Sequence, residues 1–545
     1  MTVFRTASRR HLLVESADLA ASMRLNHALE AAALPGVVEL VPAARTVLIR
    51  FDPARTSAPA LEEAITGLDA TDSATGSGRT VTIDVRYDGE DLAEVADLLG
   101  VSPAEVVARH QRARWEVAFS GFAPGFGYLA GDDPLFDVPR RSSPRTRVPV
   151  GAVGLAGEFT GVYPRASPGG WQLIGHTDAI LWDLDRQPPA LFVPGTIVRF
   201  VDAGRASARA AESPASAEAA AAEAPSSAES SAESSASHSL TVIEPGLQLL
   251  IEDLGRPGFA SMGVSSAGAA DRSALVDANR LVGNAESAAV LESFGGGVSV
   301  RVTGDGVAAV TGATGPVTVT AADGTVFRHR LGEAFSLVDG DILELGPTET
   351  GARRYLAVRG GIIADTALGS ASADTLAHLG PAALTAGDTI DLGEPVTAPH
   401  LVDTGPRLGA DRVLPAPGDL VELTVTLGPR DDWFTSAGID TLLTQEWTVT
   451  HESDRVGLRL TGEVPLERAR TGELPSEGAV TGALQVPPNG QPVLFGPDHP
   501  LTGGYPIIAS VDDTDLAAQL PPGVRIRFRP AAAADSTSPD PSDES

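Results

Sequence analysis

Two distant stretches of the chain repeat one order of features. VPVGAVGLAGEFTGVYP (148–164) and VPPNGQPVLFGPDHPLTGGYP (486–506) each run Val-Pro, a turn glycine, a short apolar strand, a glycine loop and Thr-Gly-x-Tyr-Pro. Each is followed by a closing strand, PGTIVRF at 194–200 and PGVRIRF at 522–528, with an Asp-Leu pair shortly before it (Asp183-Leu184 and Asp515-Leu516). Pro-Gly sets a turn, and the residues after it alternate as a strand does. The shared order points to duplication of one β-rich unit, so the chain must build the same small β architecture twice. On this reading TGVYP and TGGYP are equivalent rim loops, and RASPGGWQLIGHT (165–177) is an insertion in the first copy.

The rest of the chain is organised around that repeat. Residues 206–238 are almost entirely Ala, Ser, Glu and Pro with no large apolar side chain, a composition that cannot offset the entropy of ordering and reads as a disordered linker. The acidic, Ser-rich tail at 531–545 reads the same way. Before the linker, residues 1–75 alternate as β-α-β-β-α, a small α+β lobe, with helices near 17–34 and 59–68. Residues 79–205 begin with a strand and two short helices, 90–99 and 102–112, the second opened by Ser102 and Glu105 in capping-box spacing. Short strands separated by Gly and Pro follow. Residues 239–530 read almost entirely as short strands, with one helix near 271–282. The expected fold class is mainly β with an α+β N-terminal lobe.

Composition removes several functions. A net charge of −31 argues against nucleic acid, and no apolar run is long enough for a membrane helix, so the expectation is a cytoplasmic protein. There is no Cys, and all 40 basic residues are Arg. Thiol nucleophiles, thiolate metal sites, Schiff-base lysines, phosphate-loop lysines and biotinylated lysines are therefore excluded. Gly169-Gly170 lies between strands with no following helix, which also argues against a phosphate loop there. No metal site is expected.

Longer motifs carry a resemblance. GFAPGFGYLAG (121–131), RRSSPRTRVPVGAVGLAG (140–157), TGVYP and SPGGWQLIGHT resemble the allophanate hydrolase subunit 1-like family, the B subunit of prokaryotic ATP-dependent 5-oxoprolinase. IEPGLQLLIEDLGRPGFASMGVSSAGAADRSALVDANRLVGNAESAAVLE (243–292), RRYLAVRGGI, SDRVGLRL, GALQVPPNGQPV and TGGYP resemble subunit 2 of that family, the C subunit. The chain thus looks like a B–C fusion related to the urea amidolyase carboxyltransferase domain. The resemblance implies duplicated cyclophilin-like β-barrels and opening of 5-oxoproline to glutamate, with ATP (and Mg2+) and a separate A-type subunit. It leaves two alternatives: transfer of a carboxyl group to urea or a related amide from a partner's biotin, and a non-catalytic regulator like the kinase-inhibitor relatives. The implied partners are that A-type protein and a small amide substrate; a homo-oligomer is compatible with the sequence.

Candidate site residues follow from both lines of reading. His176 titrates near neutral pH and suits proton transfer. Arg256, in the tight turn DLGRPG, suits a carboxylate or phosphate, or pairs structurally with Asp253. Asp271 either caps the helix it precedes or serves the chemistry. Tyr163, Gly170 and Trp171 border the 165–177 stretch, with Tyr505 and Gln485 as second-half counterparts. Arg272 and Asn279 lie on the helix after Asp271. Arg455 and Arg459 would share one face of a strand and so offer a carboxylate site. His110, near a helix end, falls within the family pattern. Glu252 and Ala371 stand where relatives usually have Gln and Arg, a departure that points to an altered substrate.

Overall fold

The computed structural model describes residues 2–68, 78–141, 143–204, 238–394 and 412–531. The expected linker, apart from His238, and the expected tail from 532 onward lie outside the described residues.

The N-terminal lobe is a four-stranded antiparallel sheet in the order Val3–Ser8, His11–Glu15, Thr46–Phe51, Val37–Pro42. Helices α1 (Leu19–Ala32) and α2 (Ala58–Thr66) cover one face, capped by Asp18 and Ser57. Leu12, Val14, Val47, Ile49 and Phe51 meet these helices, whereas Leu13, Val41 and Leu48 point the other way into the C-terminal barrel. Both faces are buried, so LLV and TVLI read as continuous apolar runs. The first strand, Val3–Ser8, is absent from the β-α-β-β-α expectation. It is half exposed, and its Ala7 carbonyl is held from the far end of the chain by the Ser510 hydroxyl at 2.6 Å.

Residues 80–202 form a seven-stranded sheet ordered 172–176, 152–156, 159–162, 127–131, 115–120, 197–202, 80–85, which an Arg86–His176 bridge closes into a barrel. Helices α3 (Leu92–Leu99) and α4 (Pro103–Arg112) pack on it. Residues 420–530 form a closed barrel ordered 507–511, 483–485, 493–495, 457–461, 447–449, 525–530, 420–427, the same circuit strand for strand. In each, the last strand runs parallel to the first. In each, an indole N–H bonds a carbonyl five residues earlier (Trp115 to His110 at 2.9 Å, Trp447 to Leu442 at 3.1 Å). The duplication is real.

Its register is not the one the repeated phrase suggests. Ala152, Val153 and Gly154 pair with His176, Gly175 and Leu173, while Ala483, Leu484 and Gln485 pair with Ser510, Ala509 and Ile507; both ladders carry a bulge at the same step. That alignment places TGGYP opposite Pro168–Gln172, so Tyr505 is the counterpart of Trp171 and not of Tyr163. TGVYP instead runs through the barrel strand Phe159–Val162. The 165–177 stretch is therefore no insertion: Ser167–Gly169 pairs with Arg145–Val148 just as Thr502–Gly503 pairs with Glu477–Gly478.

Residues 239–394 make a third body, a seven-stranded and a five-stranded sheet sharing one aliphatic core. Helix α5 (Arg272–Val282) packs on the five-stranded sheet through Leu275, Ala278 and Val282. Two further helices, α6 (Ser436–Thr444) and α7 (Thr514–Ala518), correct the expectation of a single helix after the linker. Each is short, and Gly438 in α6 weakens a helical reading.

The duplicated tryptophans leave no room beside them. A Cβ at Gly131 would lie 2.5 Å from the Trp115 ring, and one at Gly462 2.7 Å from the Trp447 ring. Gly131→Ala and Gly462→Ala are each expected to cost about 1–3 kcal/mol in equilibrium unfolding. Gly472→Ala, where no atom lies within 4 Å, should fall within about 0.5 kcal/mol of the parent.

Candidate functional site

Three bodies enclose a cavity of about 1050 Å³. The N-terminal lobe supplies one wall through Arg10, His11, Glu39 and Arg50; the C-terminal barrel supplies another through Thr481, His499 and the segment 511–516. The floor is the loop Ser265–Arg272 of the middle body, with Arg412 beside it.

The floor is shaped by close backbone approaches. Ala267 and Gly268 both adopt left-handed conformations, with φ of 48° and 95°. A Cβ on Gly255 would sit 2.3 Å from the Ser266 carbonyl oxygen, so only glycine lets the DLGRPG turn nest under the loop. Asp253 locks that turn, accepting from the Gly255 and Ala371 N–H groups at 2.7 and 2.8 Å and from the Ser370 and Ser372 hydroxyls at 2.6 Å each.

The two barrels hold this loop and the turn Ala260–Met262 just before it with topologically equivalent connections. In the first, the Gly125 N–H bonds the Met262 carbonyl at 3.0 Å. In the second, Arg455 donates to the Gly268 carbonyl at 2.7 Å and pairs with Glu252, Glu292 and Asp498, all fully or almost fully buried. Glu292 also accepts the Ala270 N–H at 2.9 Å. Burial, with Glu292 and Asp498 nearby, pushes the Glu252 carboxyl well above the usual carboxylate range, although Arg455 opposes the shift. Burial would raise Glu292 too, but Arg455 and Arg353 hold it low.

Asp271 caps α5, accepting from the Ala274 N–H at 3.0 Å, from Gln519 at 2.8 Å and from Arg412 at 3.3 Å. Burial and neighbouring Asp515 raise its pKa to about 6. Asp515 in turn accepts the Arg272 and Ser273 N–H groups at 3.1 and 3.2 Å. Burial brings His11 down to about 3, helped by Arg50, His499 and Arg10, so its imidazole is neutral at pH 7.

The residues singled out from sequence disperse. Arg272 lines the cavity; Asp271, Arg256 and Arg455 lie just behind its floor. Arg256 donates its backbone N–H to the Ser266 carbonyl at 2.7 Å and a guanidinium N–H to the Ser372 carbonyl rather than pairing with Asp253. Asn279 serves the fold, donating to the Glu286 and Ala288 carbonyls at 3.3 and 2.8 Å. Arg455 and Arg459 do not share a face: Arg455 precedes the strand Gly457–Thr461 and is buried in the interface, whereas Arg459 is exposed on it.

His176 sits on the seam of the first barrel. It exchanges backbone hydrogen bonds with Arg86, and its half-exposed ring bonds Asp88 at 2.8 Å. Tyr163 and Trp171 do meet, 6.5 Å between ring centroids, but inside an aromatic cluster with Phe126 and Tyr128, where burial raises the phenol pKa. Gly169, not Gly170, is the position that needs glycine, since a Cβ there would strike the Tyr163 hydroxyl at 2.5 Å. Gln485 donates to the Tyr505 carbonyl at 3.4 Å, outside the cavity. His110 is a core residue, its ring between the Tyr87 and Thr160 hydroxyls.

Comparison with known proteins matches each half of this arrangement. Residues 2–192 fit the family model "Carboxyltransferase domain, subdomain C and D", and residues 262–530 fit "Carboxyltransferase domain, subdomain A and B". The B subunit of 5-oxoprolinase from Escherichia coli O157:H7 is 42% identical over 173 residues, covering 31% of this chain and 79% of that protein. The C subunit of 5-oxoprolinase from Escherichia coli K12 is 34% identical over 295 residues, covering 53% of this chain and 90% of that protein. The chain belongs to the carboxyltransferase-domain family of these two proteins. A crystal structure of the protein TTHA0988 has the same architecture in one chain, with a TM-score of 0.76 and 34% identity, covering 95% of this chain and 99% of that one.

Within this family the cavity draws on B-like and C-like sequence at once. Sequence reasoning missed Arg10, His11, Arg50, Arg412 and His499, which line the cavity with Arg272. His11 and Arg50 are a cross-strand pair in the lobe, where they read as the polar side of a strand. Among the described residues no group of three or more His, Cys, Asp or Glu side chains is placed to hold a metal ion, and no helix is long and apolar enough to cross a membrane.

Asp271 gives a pH signature. Its folded-state pKa lies above the unfolded value near 3.8, so the native state holds the proton more tightly and this group's stability contribution falls as pH rises from about 4 to about 6. Asp271→Asn keeps a cap and cannot ionise. Its stability relative to the parent should improve across that window by on the order of 2 kcal/mol, then stay level to pH 7.5. Parallel unfolding curves for the two proteins would contradict the assignment.

Proposed function

We propose that the chain is the fused B–C component of an ATP-dependent 5-oxoprolinase-type amidohydrolase, opening 5-oxoproline to glutamate together with a separate A-type subunit. One observation carries the reading: the cavity is walled by residues 8–53 of the B-like half and by residues 265–272 and 412–516 of the C-like half. Two proteins named as subunits of one enzyme are thus represented around a single chamber.

In this reading ATP would supply a phosphoryl group to the lactam oxygen with ADP leaving; water would add to the activated carbonyl carbon, and the C–N bond would break as the nitrogen takes up a proton and the phosphoryl group departs as inorganic phosphate. The chain's own part is to bind and orient the cyclic amide. Arg272 and Arg412 offer guanidinium donors, and Asp271 and Asp515 hold both arginines in place. The buried Glu252–Arg455–Glu292 network keeps the floor rigid behind them. His176 has no part in this scheme. With no Lys, and with Gly169-Gly170 set between strands, the phosphates of ATP (with its Mg2+) are assigned to the joint site with the A-type partner, in the cytoplasm. Covalent biotin has no lysine to attach to.

Reconstitution tests the proposal. The chain mixed with an A-type subunit, ATP and 5-oxoproline should release glutamate and ADP in equal amounts, and each component alone should release none. Absence of glutamate from the mixture would overturn the reading, as would carboxylation of urea with a biotin-carrying partner.

A further inference from the structure

Arg10, Arg50 and Arg272 gather at one side of the cavity from two different bodies. Arg50 is the penultimate residue of the lobe strand Thr46–Phe51, opposite His11; Arg10 sits in the adjoining hairpin turn, and Arg272 opens α5. Their guanidinium groups are only partly engaged. Arg50 donates to the Ser266 hydroxyl at 3.3 Å, with Glu39 at 3.8 Å, and Arg272 donates to the Leu254 carbonyl. Each guanidinium has five N–H donors, so most remain for a ligand. Arg272 keeps an exposed surface; desolvation and repulsion from Arg50 and Arg10 lower its pKa, while Asp515 and Asp253 oppose the shift. Like charges held close together cost energy that an incoming anion relieves.

We propose that Arg10, Arg50 and Arg272, with the Ser266 hydroxyl, bind the carboxylate of the cyclic amide substrate. The inference rests on the ring-opening reading above and deepens it, making the chain selective for lactams that carry a carboxylate. A planar carboxylate suits the fork of an arginine, accepting two parallel N–H bonds from one guanidinium and leaving further donors to engage its outer lone pairs. Arg50 comes from the B-like half and Arg272 from the C-like half, so the carboxylate would bridge the two and favour their association whenever substrate is bound. Asp515 holds the backbone of Arg272 and Ser273, keeping the start of α5 facing the chamber.

Titration calorimetry on the full chain tests this with 5-oxoproline, with 2-pyrrolidinone (the same lactam without its carboxylate) and with inorganic phosphate as competitor. The expected result is that 5-oxoproline binds at least about tenfold more tightly than 2-pyrrolidinone and is not displaced by phosphate. Arg50→Gln and Arg272→Gln should each weaken 5-oxoproline by about ten- to a hundredfold while leaving 2-pyrrolidinone unchanged. Arg10→Gln, in an exposed turn, keeps the fold and should act in the same direction. Equal affinity for the two lactams, no binding of 5-oxoproline, displacement by phosphate, or folded variants with unchanged affinity would each overturn the inference. If the binding pattern holds but the reconstituted complex makes no glutamate, the ring-opening reading fails and the carboxylate site stands. If glutamate forms and Arg50→Gln leaves its KM unchanged, the reverse is true.

Discussion

Arg455 is the interaction on which the arrangement of bodies depends. Its guanidinium is wholly buried and meets three carboxylates, Glu252 and Glu292 from the middle body and Asp498 from the C-terminal barrel. Removing one partner from such a cluster strands the others without water and costs about 3–5 kcal/mol, far more than an exposed pair. The same guanidinium bonds the Gly268 carbonyl, so the contact that joins two bodies also fixes the cavity floor. Asp498 extends the network to the Thr375 N–H and hydroxyl at 2.9 and 2.7 Å, tying in the segment that packs against the DLGRPG turn.

The duplication gives this geometry a further logic. Equivalent connections of the two barrels grip opposite ends of the middle-body segment 262–268, one through backbone contacts of GFAPGF and the other through Arg455. The first barrel has surrounded its connection with aromatic rings, while the second has placed a charged network there. Neither barrel interior is the cavity. His110 and its aromatic neighbours fill the first, and Trp447 with Phe528 and aliphatic neighbours fills the second. The chamber lies between bodies, where ligand sites commonly form.

Much of the fold was legible because it is local. Ser102, Asp271 and the Pro-Gly turns marked element ends, and the closing strands at 197–202 and 525–530 were matched correctly. The phrase TGxYP misled because four shared residues outweighed a register that only the strand ladders reveal. Of the site, the floor was legible in the long motif around SSAGAADR, and Arg272 was named from it. Arg10, His11 and Arg50 were not, because the contact of Arg50 with Ser266 spans 216 residues and nothing in a hairpin of the lobe announces what faces it. Arg455 was noticed for the wrong geometry: strand periodicity was applied to a residue that precedes the strand. Glu252 and Ala371, flagged as departures, flank the Asp253 lock, and Glu252 joins the Arg455 cluster.

The central claim is that substrate binds in the chamber shared by both halves of the chain, not beside the glycine-rich SPGGW stretch of the first barrel. A crystal structure of the protein with 5-oxoproline tests it most directly. The ligand should lie between the N-terminal lobe and the loop Ser265–Arg272, within hydrogen-bond distance of Arg50 and Arg272. Density for it at Gly170, Trp171 or His176, with the chamber empty, would contradict the account.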